Sequence, residues 1–341
     1  MSDEFVEGFS VYEDMWHDPE GTWTQDHYPA DIDEAMGMAG HRWTAVERPV
    51  WVDLADPSDD AVDLQLAESM KALVRQDEAG NTKELLSVVS KTYEVAQPIL
   101  MWEVLEALVK PAPGDTAPPV RYETAGNLRD YKLIWALAKV EREFFVDKLD
   151  SPIVPYIAML NSYDGTTALR ALPTGVRIVC KNTWDAAVMG AKSSGYSFRH
   201  TVNMGERIEE AKAVITGVVN TVQEFVEMSR ELLAMRVTPP QIEGFLERFV
   251  PMPVTEAVIT DRAAANIREA RQAVKHILAG GTGTILPHQS ETAYGLVNAA
   301  TEYLDHVRKA QTWQSRFKRA VLEPDGSKAK VVEFAREAAR V

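Results

Sequence analysis

The chain has 341 residues, 45% hydrophobic and 26% charged, a composition ordinary for a globular protein and long enough for two domains or one elaborated domain. Its net charge is −15, and its single cysteine, Cys180, excludes an intrachain disulfide and favours a reducing, cytoplasmic compartment. No apolar run reaches the roughly 18–20 residues of a membrane span, and the start MSDEFVEGF lacks the cationic and apolar regions of a signal peptide, so no membrane partner is expected.

Residues 1–48 read as an acidic irregular arm, rich in Trp, His, Tyr and Gly with no clean period. Its aromatic content is too high for pure disorder, so it is expected to pack somewhere. The charge is concentrated here: residues 1–64 hold 17 acids and two cations, Arg42 and Arg48, while residues 65–341 hold 34 of each sign. The acidic segment is thus a solvated arm, a dock for a basic partner, or a shield over a basic surface.

Residues 49–205 are expected to form an α+β core. PVWVDL (49–54) suggests a short strand. Residues 63–78 suggest a helix, with Leu66, Met70, Leu73 and Val74 at spacings of three and four. LLSVVSKTYEVAQ (85–97) is β-branched and reads as a strand. A helix over 98–109 follows, with Pro98 in its first turn. KPAPGDTAPP (110–119) is a linker. VRYETAGNL and YKLIWALAKVE form two strands around a turn at 126–130. PIVPYIAMLNS and TTALRALPTGVRIVC form two more, joined at Asp164-Gly165, a dipeptide suited to a type I′ turn. Residues 183–191 look helical and 195–201 look like a short strand. Residues 206–341 form a helical region. A long apolar stripe opens it. TPPQ then supplies a helix start, with Thr238 as cap and Gln241 placed for a capping box. Further helices are expected over 256–279 and 290–320. The fold class is α+β: a central, mostly antiparallel sheet built of hairpins, followed by a helical C-terminal third.

The common catalytic and metal signatures are absent. His17, His27 and His41 stand at gaps of ten and fourteen residues, unlike the tight spacings of a metal site, and no metal or other cofactor is expected. Cys180 reads as a buried strand cysteine, with no nucleophile elbow or carboxylate pair beside it. GGTGT (280–284) follows a helix, whereas a phosphate loop joins a strand to the following helix, so it reads as a helix C-cap. A polar set of Asn161, Asp164, Asn182 and His200 implies no reaction, and no catalytic residue is assigned.

Basic features carry more information. Residues 165–205 hold Arg170, Arg177, Lys181, Lys192 and Arg199 against one acid, Asp185. Arg177 and Lys181 share a face on a regular strand, with Asn182 and Thr183 adjacent, which suits a row of phosphates. The alternative is an ordinary polar face. VRKAQTWQSRFKRAV (307–321) has five cations and no acid, with Trp313 and Phe317 at helical spacing. Cations interleaved with aromatics suit single strands, whose bases stack on rings while phosphates meet cations. The alternative is an amphipathic helix with two core aromatics.

Several segments together resemble a phage/plasmid-like protein family with a domain of unknown function: VVSKTYEVAQ, ETAGNLRDYKLIWALAKV, VPYIAMLNSYDGTTALRALPTGVRIVCKNTW, FRHT with its following helix, and AYGLVNAATEYLDH. They span roughly residues 85 to 306, and MWHDPEGTW is a looser likeness. The resemblance implies a place in phage or plasmid DNA metabolism and no agreed activity. A weaker fold-level analogy links the hairpins and helices to the phage single-strand annealing proteins. The expected function is therefore single-stranded DNA binding without catalysis, with annealing in recombination as its fullest form, by a homo-oligomer. Arg170, Arg177, Lys181, Lys192 and Arg199 grip phosphates in this reading. Asn182, Thr183 and His200 add polar contacts, and Arg308, Trp313, Arg316 and Arg319 extend the groove. The alternative is a regulatory protein that captures a phage or host protein through its acidic arm.

Overall fold

In the computed structural model the described residues are 5–11, 24–55, 62–109, 119–147, 149, 152–167, 169–177, 183–185, 196–197, 220–252, 260–282, 284–310 and 327–340. In chain order the strands are β1 (Phe5–Val11), β2 (Thr24–Gln25), β3 (Trp43–Asp53), β4 (Leu64–Asp77), β5 (Thr82–Ser90), β6 (Val120–Leu128), β7 (Leu133–Val140), β8 (Ile153–Ser162), β9 (Arg170–Arg177), β10 (Thr183–Asp185) and β11 (Tyr196–Ser197). The helices are α1 (Ile32–Met38), α2 (Pro98–Val109), α3 (220–234), α4 (Pro239–Phe249), α5 (Asp261–Leu278), α6 (Ala293–Glu302) and α7 (Ser327–Arg340). The fold is α+β, as expected, with the described residues from 220 onward mainly helical. One sheet has the order β10-β9-β8-β7-β6-β1-β2, with β11 also on β9; the other has the order β3-β4-β5.

The chain divides into two compact units, the first of residues 1–139, 158–171 and 196–215, the second of the remainder. In the first unit, β1 lies between β6 and β2, antiparallel to one and parallel to the other. Phe9 and Val11 are buried. Residues 5–11, read as part of an irregular arm, are therefore an interior strand, because the pairing groups of β6 satisfy their backbone. The buried core of this unit includes Phe9, Leu73, Leu86, Trp102, Trp135 and Tyr163.

Residues 64–77 form a strand and not the expected helix. Leu66, Met70, Leu73 and Val74 do recur at helical spacing. However, β4 hydrogen-bonds to β3 on one side and β5 on the other, with Leu73 opposite both Glu47 and Ser87. Non-local pairing overrides local propensity. The expected helix over 183–191 also differs: residues 183–185 pair with β9, Thr183 opposite Val176. At Asp164-Gly165 only Gly165 has positive φ, so the turn is not type I′. Asp164 instead accepts from Thr166, at 3.0 Å from the amide and 2.6 Å from the hydroxyl, and pairs with Arg129 at 3.0 Å. Burial tends to raise its pKa, but the Thr166 bonds and the Arg129 cation outweigh that and hold the carboxyl below its ordinary value.

His41 is wholly buried. Its Nε2 lies 3.1 Å from the Gly126 carbonyl and its Nδ1 is 2.9 Å from the Trp102 indole nitrogen. Indole N–H can only donate, so Nδ1 accepts and the proton sits on Nε2. Burial drives the imidazole pKa down to about 3, with the Gly126 bond opposing, so the ring is neutral.

In the second unit α6 is buried along its whole length. Gly295 permits this: a Cβ there would lie 2.2 Å from the Gln289 carbonyl oxygen. The capping signals predicted at TPPQ are present, with Gln241 Oε1 accepting from the Thr238 amide at 2.7 Å and its hydroxyl at 2.9 Å. GGTGT does cap a helix. Gly280 has φ of +81°, its amide donates to Ile277, and Gly281 donates to His276, the paired bonds of a Schellman motif.

Candidate nucleic-acid interface

Most of the residues singled out in the sequence lie outside the described residues: Lys181, Asn182, Lys192, Arg199, His200, Trp313, Arg316 and Arg319, as do Cys180 and the linker 110–118. Arg170 opens β9 with its side chain exposed and its backbone opposite Ser197. Arg177 closes β9, one residue past the Val176–Thr183 pair, so the hairpin brings the backbones of Arg177 and Thr183 together. Asn161 and Asp164, two of the unassigned polar set, have structural partners. Asn161 is buried and donates to the Ala96 carbonyl at 2.8 Å and the Tyr163 hydroxyl at 3.1 Å. Asp164 is held by its turn and by Arg129. Among the described residues no group of three or more His, Cys, Asp or Glu is placed to hold a metal ion.

Arg308 lies in a different setting, which the second unit builds from α5 and the π-helical turn Tyr303–Val307 that follows α6. Thr260 caps α5, its hydroxyl accepting from Ala263 at 3.3 Å, and Asp261 occupies the first turn, where a negative charge meets the helix dipole. Arg262, Asn266 and Glu269 then follow one another at spacings of four and three and share a face. That face, Tyr303, Val307, Arg308 and Lys309 line a cavity of about 500 Å³. Three cations and one acid surround it, and Ala270 and Ala273 contribute apolar floor. Tyr303 stands edge-on to Phe249, with ring centroids 6.1 Å apart. Burial raises the pKa of its hydroxyl while the Arg308 cation opposes the shift.

A second cavity of about 700 Å³ continues along α5, lined by Arg268, Gln272, Lys275 and His276, and shares Glu269 and Ala273 with the first. Two cations of α5 have structural work. Lys275 pairs with Glu243 at 2.5 Å, and Arg271 donates to the Val250 carbonyl at 2.9 and 3.0 Å, closing the end of α4. Arg262, Asn266 and Arg268 were not among the residues expected to bind. Their signal was faint, since 261–275 carries four cations and two acids and reads first as an amphipathic helix.

The geometry is that of an α+β protein whose second unit carries a basic trough with a tyrosine in its wall. The chain belongs to the DUF932 family, a domain of unknown function, whose model matches residues 85–322. No curated protein and no solved structure matches the chain. Among the described residues, no helix is long and apolar enough to cross a membrane.

Proposed function

We propose that the chain binds single-stranded nucleic acid, as a participant in phage or plasmid DNA metabolism, with annealing of complementary strands in recombination as the fullest form of that role. The observation that carries the reading is the α5 trough. Arg262, Arg308 and Lys309 stand around a cavity walled by Tyr303, with Asn266 as a neutral hydrogen-bonding group. Cations meet phosphates in a sequence-independent way, and an aromatic ring offers bases a stacking surface. Arg170 and Arg177 of β9 would take up further phosphates, together with the other sequence-identified cations. Annealing needs a strand held by its backbone with bases left free to pair, and it needs neither nucleotide nor metal.

Fluorescence anisotropy of a labelled single-stranded oligonucleotide tests this with the full chain. If three phosphates are neutralised at the trough, a slope of about −0.7 per phosphate makes a fourfold rise in salt cost roughly twentyfold in affinity. Arg262→Glu with Lys309→Glu is expected to weaken binding and flatten that slope. Affinity that ignores salt, or survives both reversals, would overturn the reading. The second reading, capture of a protein partner through the acidic N-terminal arm, is favoured by the 17 acids against two cations in residues 1–64 and predicts no oligonucleotide binding at any salt.

A further inference from the structure

Exposed apolar side chains are ordinary when scattered, but here they are not. Of thirteen exposed large apolar residues among those described, nine lie between Trp51 and Val88 on the three-stranded sheet and its connection. Six of these mark one end: Trp51, Val52 and Leu54 on the β3 side, and Val62, Leu64 and Leu66 on the β4 side. β5 pairs with β4 only from Met70 onward, whereas β3 pairs with β4 as far as Asp53–Leu64. The end of the sheet is thus a two-stranded ribbon with apolar side chains on both faces: Trp51 is opposite Leu66, and Val52 lies on the other face. A two-stranded ribbon is marginal in water by itself, and this one leaves Trp51 54% and Leu54 57% exposed.

Charge narrows what covers it. Residues 50–70 hold six acids and no cation. Two such ribbons repel each other, so a symmetric ribbon-to-ribbon contact is unfavourable. The complementary surface is cationic with an apolar floor. The α5 trough has that character, with Arg262, Arg308 and Lys309 against Glu269, over Ala270, Tyr303 and a 43% exposed Val307. Its volume of about 500 Å³ lies within the range of about 300–1,000 Å³ that takes a substantial group, enough for one large side chain.

We propose that the β3–β4 ribbon is a self-association arm, whose Trp51–Leu66 end seats in the α5 trough of a second copy of this chain. The contact is head-to-tail, so it closes into a ring or runs on as a filament. The ribbon of a second copy and a nucleic-acid strand would occupy the same trough, so each excludes the other there, and self-association is read with no nucleic acid present.

Sedimentation velocity of the full chain across a range of concentrations tests the proposal, with no nucleic acid present. The wild type is expected to associate, and Trp51→Ser and Lys309→Glu are each expected to weaken association at least tenfold, with unchanged far-UV circular dichroism. The exposed pair Asp63→Lys and Lys309→Glu is expected to associate better together in one chain than either change alone. A one-to-one mixture of Trp51→Ser chains (intact trough) and Lys309→Glu chains (intact ribbon) is expected to give a dimer that grows no further. A chain that stays monomeric overturns the proposal. So does association that Trp51→Ser leaves intact, which would assign the ribbon to another partner. Oligonucleotide binding by a strictly monomeric chain would sink this inference and leave the nucleic-acid reading standing, whereas assembly without oligonucleotide binding would do the reverse.

Discussion

Replacing His41 by leucine tests the buried hydrogen-bonded chain that joins α2 to β6. In the native protein the imidazole donates to Gly126 and accepts from Trp102 with no exposure to solvent. His41→Leu keeps the apolar volume and strands both partners, at about 1–3 kcal/mol for each group left unsatisfied. The pH dependence is the sharper readout. The folded pKa is about 3 and the unfolded value 6.5, so between these values the unfolded chain binds the proton and the folded chain does not. Stability therefore falls as pH drops below 6.5, and the loss is complete near the folded pKa. At pH 5, one and a half units below the unfolded value, the loss from this one group is about 2 kcal/mol, taking 1.36 kcal/mol per unit. Other titrating groups contribute to the same window, so the quantity to compare is the change between pH 7 and pH 5 in wild type and variant. Urea unfolding followed by tryptophan fluorescence measures both. The variant is expected to start lower at pH 7 and to lose about 2 kcal/mol less on acidification. Equal losses in the two proteins would refute a buried neutral His41.

In the second unit, Lys328 lies 2.8 Å from Asp305, with side chains 6% and 1% exposed. Lys328→Met leaves a buried carboxylate without its cation and is expected to cost about 3–5 kcal/mol, while adding Asp305→Leu recovers most of the loss; thermal unfolding of the single and double variants checks this. Gly280→Ala forces a Cβ into φ of +81° at the end of α5 and is expected to cost about 1 kcal/mol, read as a lowered urea midpoint with an unchanged slope.

The legible parts of the fold were those with local causes. Pro98 and the apolar residues after it define a helix whether or not the rest of the chain is known, and α2 runs Pro98–Val109 as read. Thr238 and Gln241 announce the start of α4 for the same reason, and Gly280 ends α5 because few other residues take its backbone angle. The misreadings had non-local causes. Residues 64–77 carry Leu, Ala, Glu, Met and Lys, which favour a helix, and only the register with β3 and β5 makes them a strand. Residues 5–11 look irregular until β6 supplies a neighbour.

The candidate site divides in the same way. The sequence by itself determined that the excess of negative charge is confined to residues 1–64, that Arg170 and Arg177 stand on one strand, and that Arg308 opens a cationic stretch, because charge and spacing are properties of the chain. Only the tertiary structure decided that Arg262 and Asn266, some forty residues earlier, face Tyr303 and Arg308 across one trough, since helix packing and not sequence distance sets which side chains share a cavity. It likewise decided that the apolar residues around Trp51 stay in water. Burial follows from which strand β5 reaches and where it stops, and β5 stops short of the ribbon.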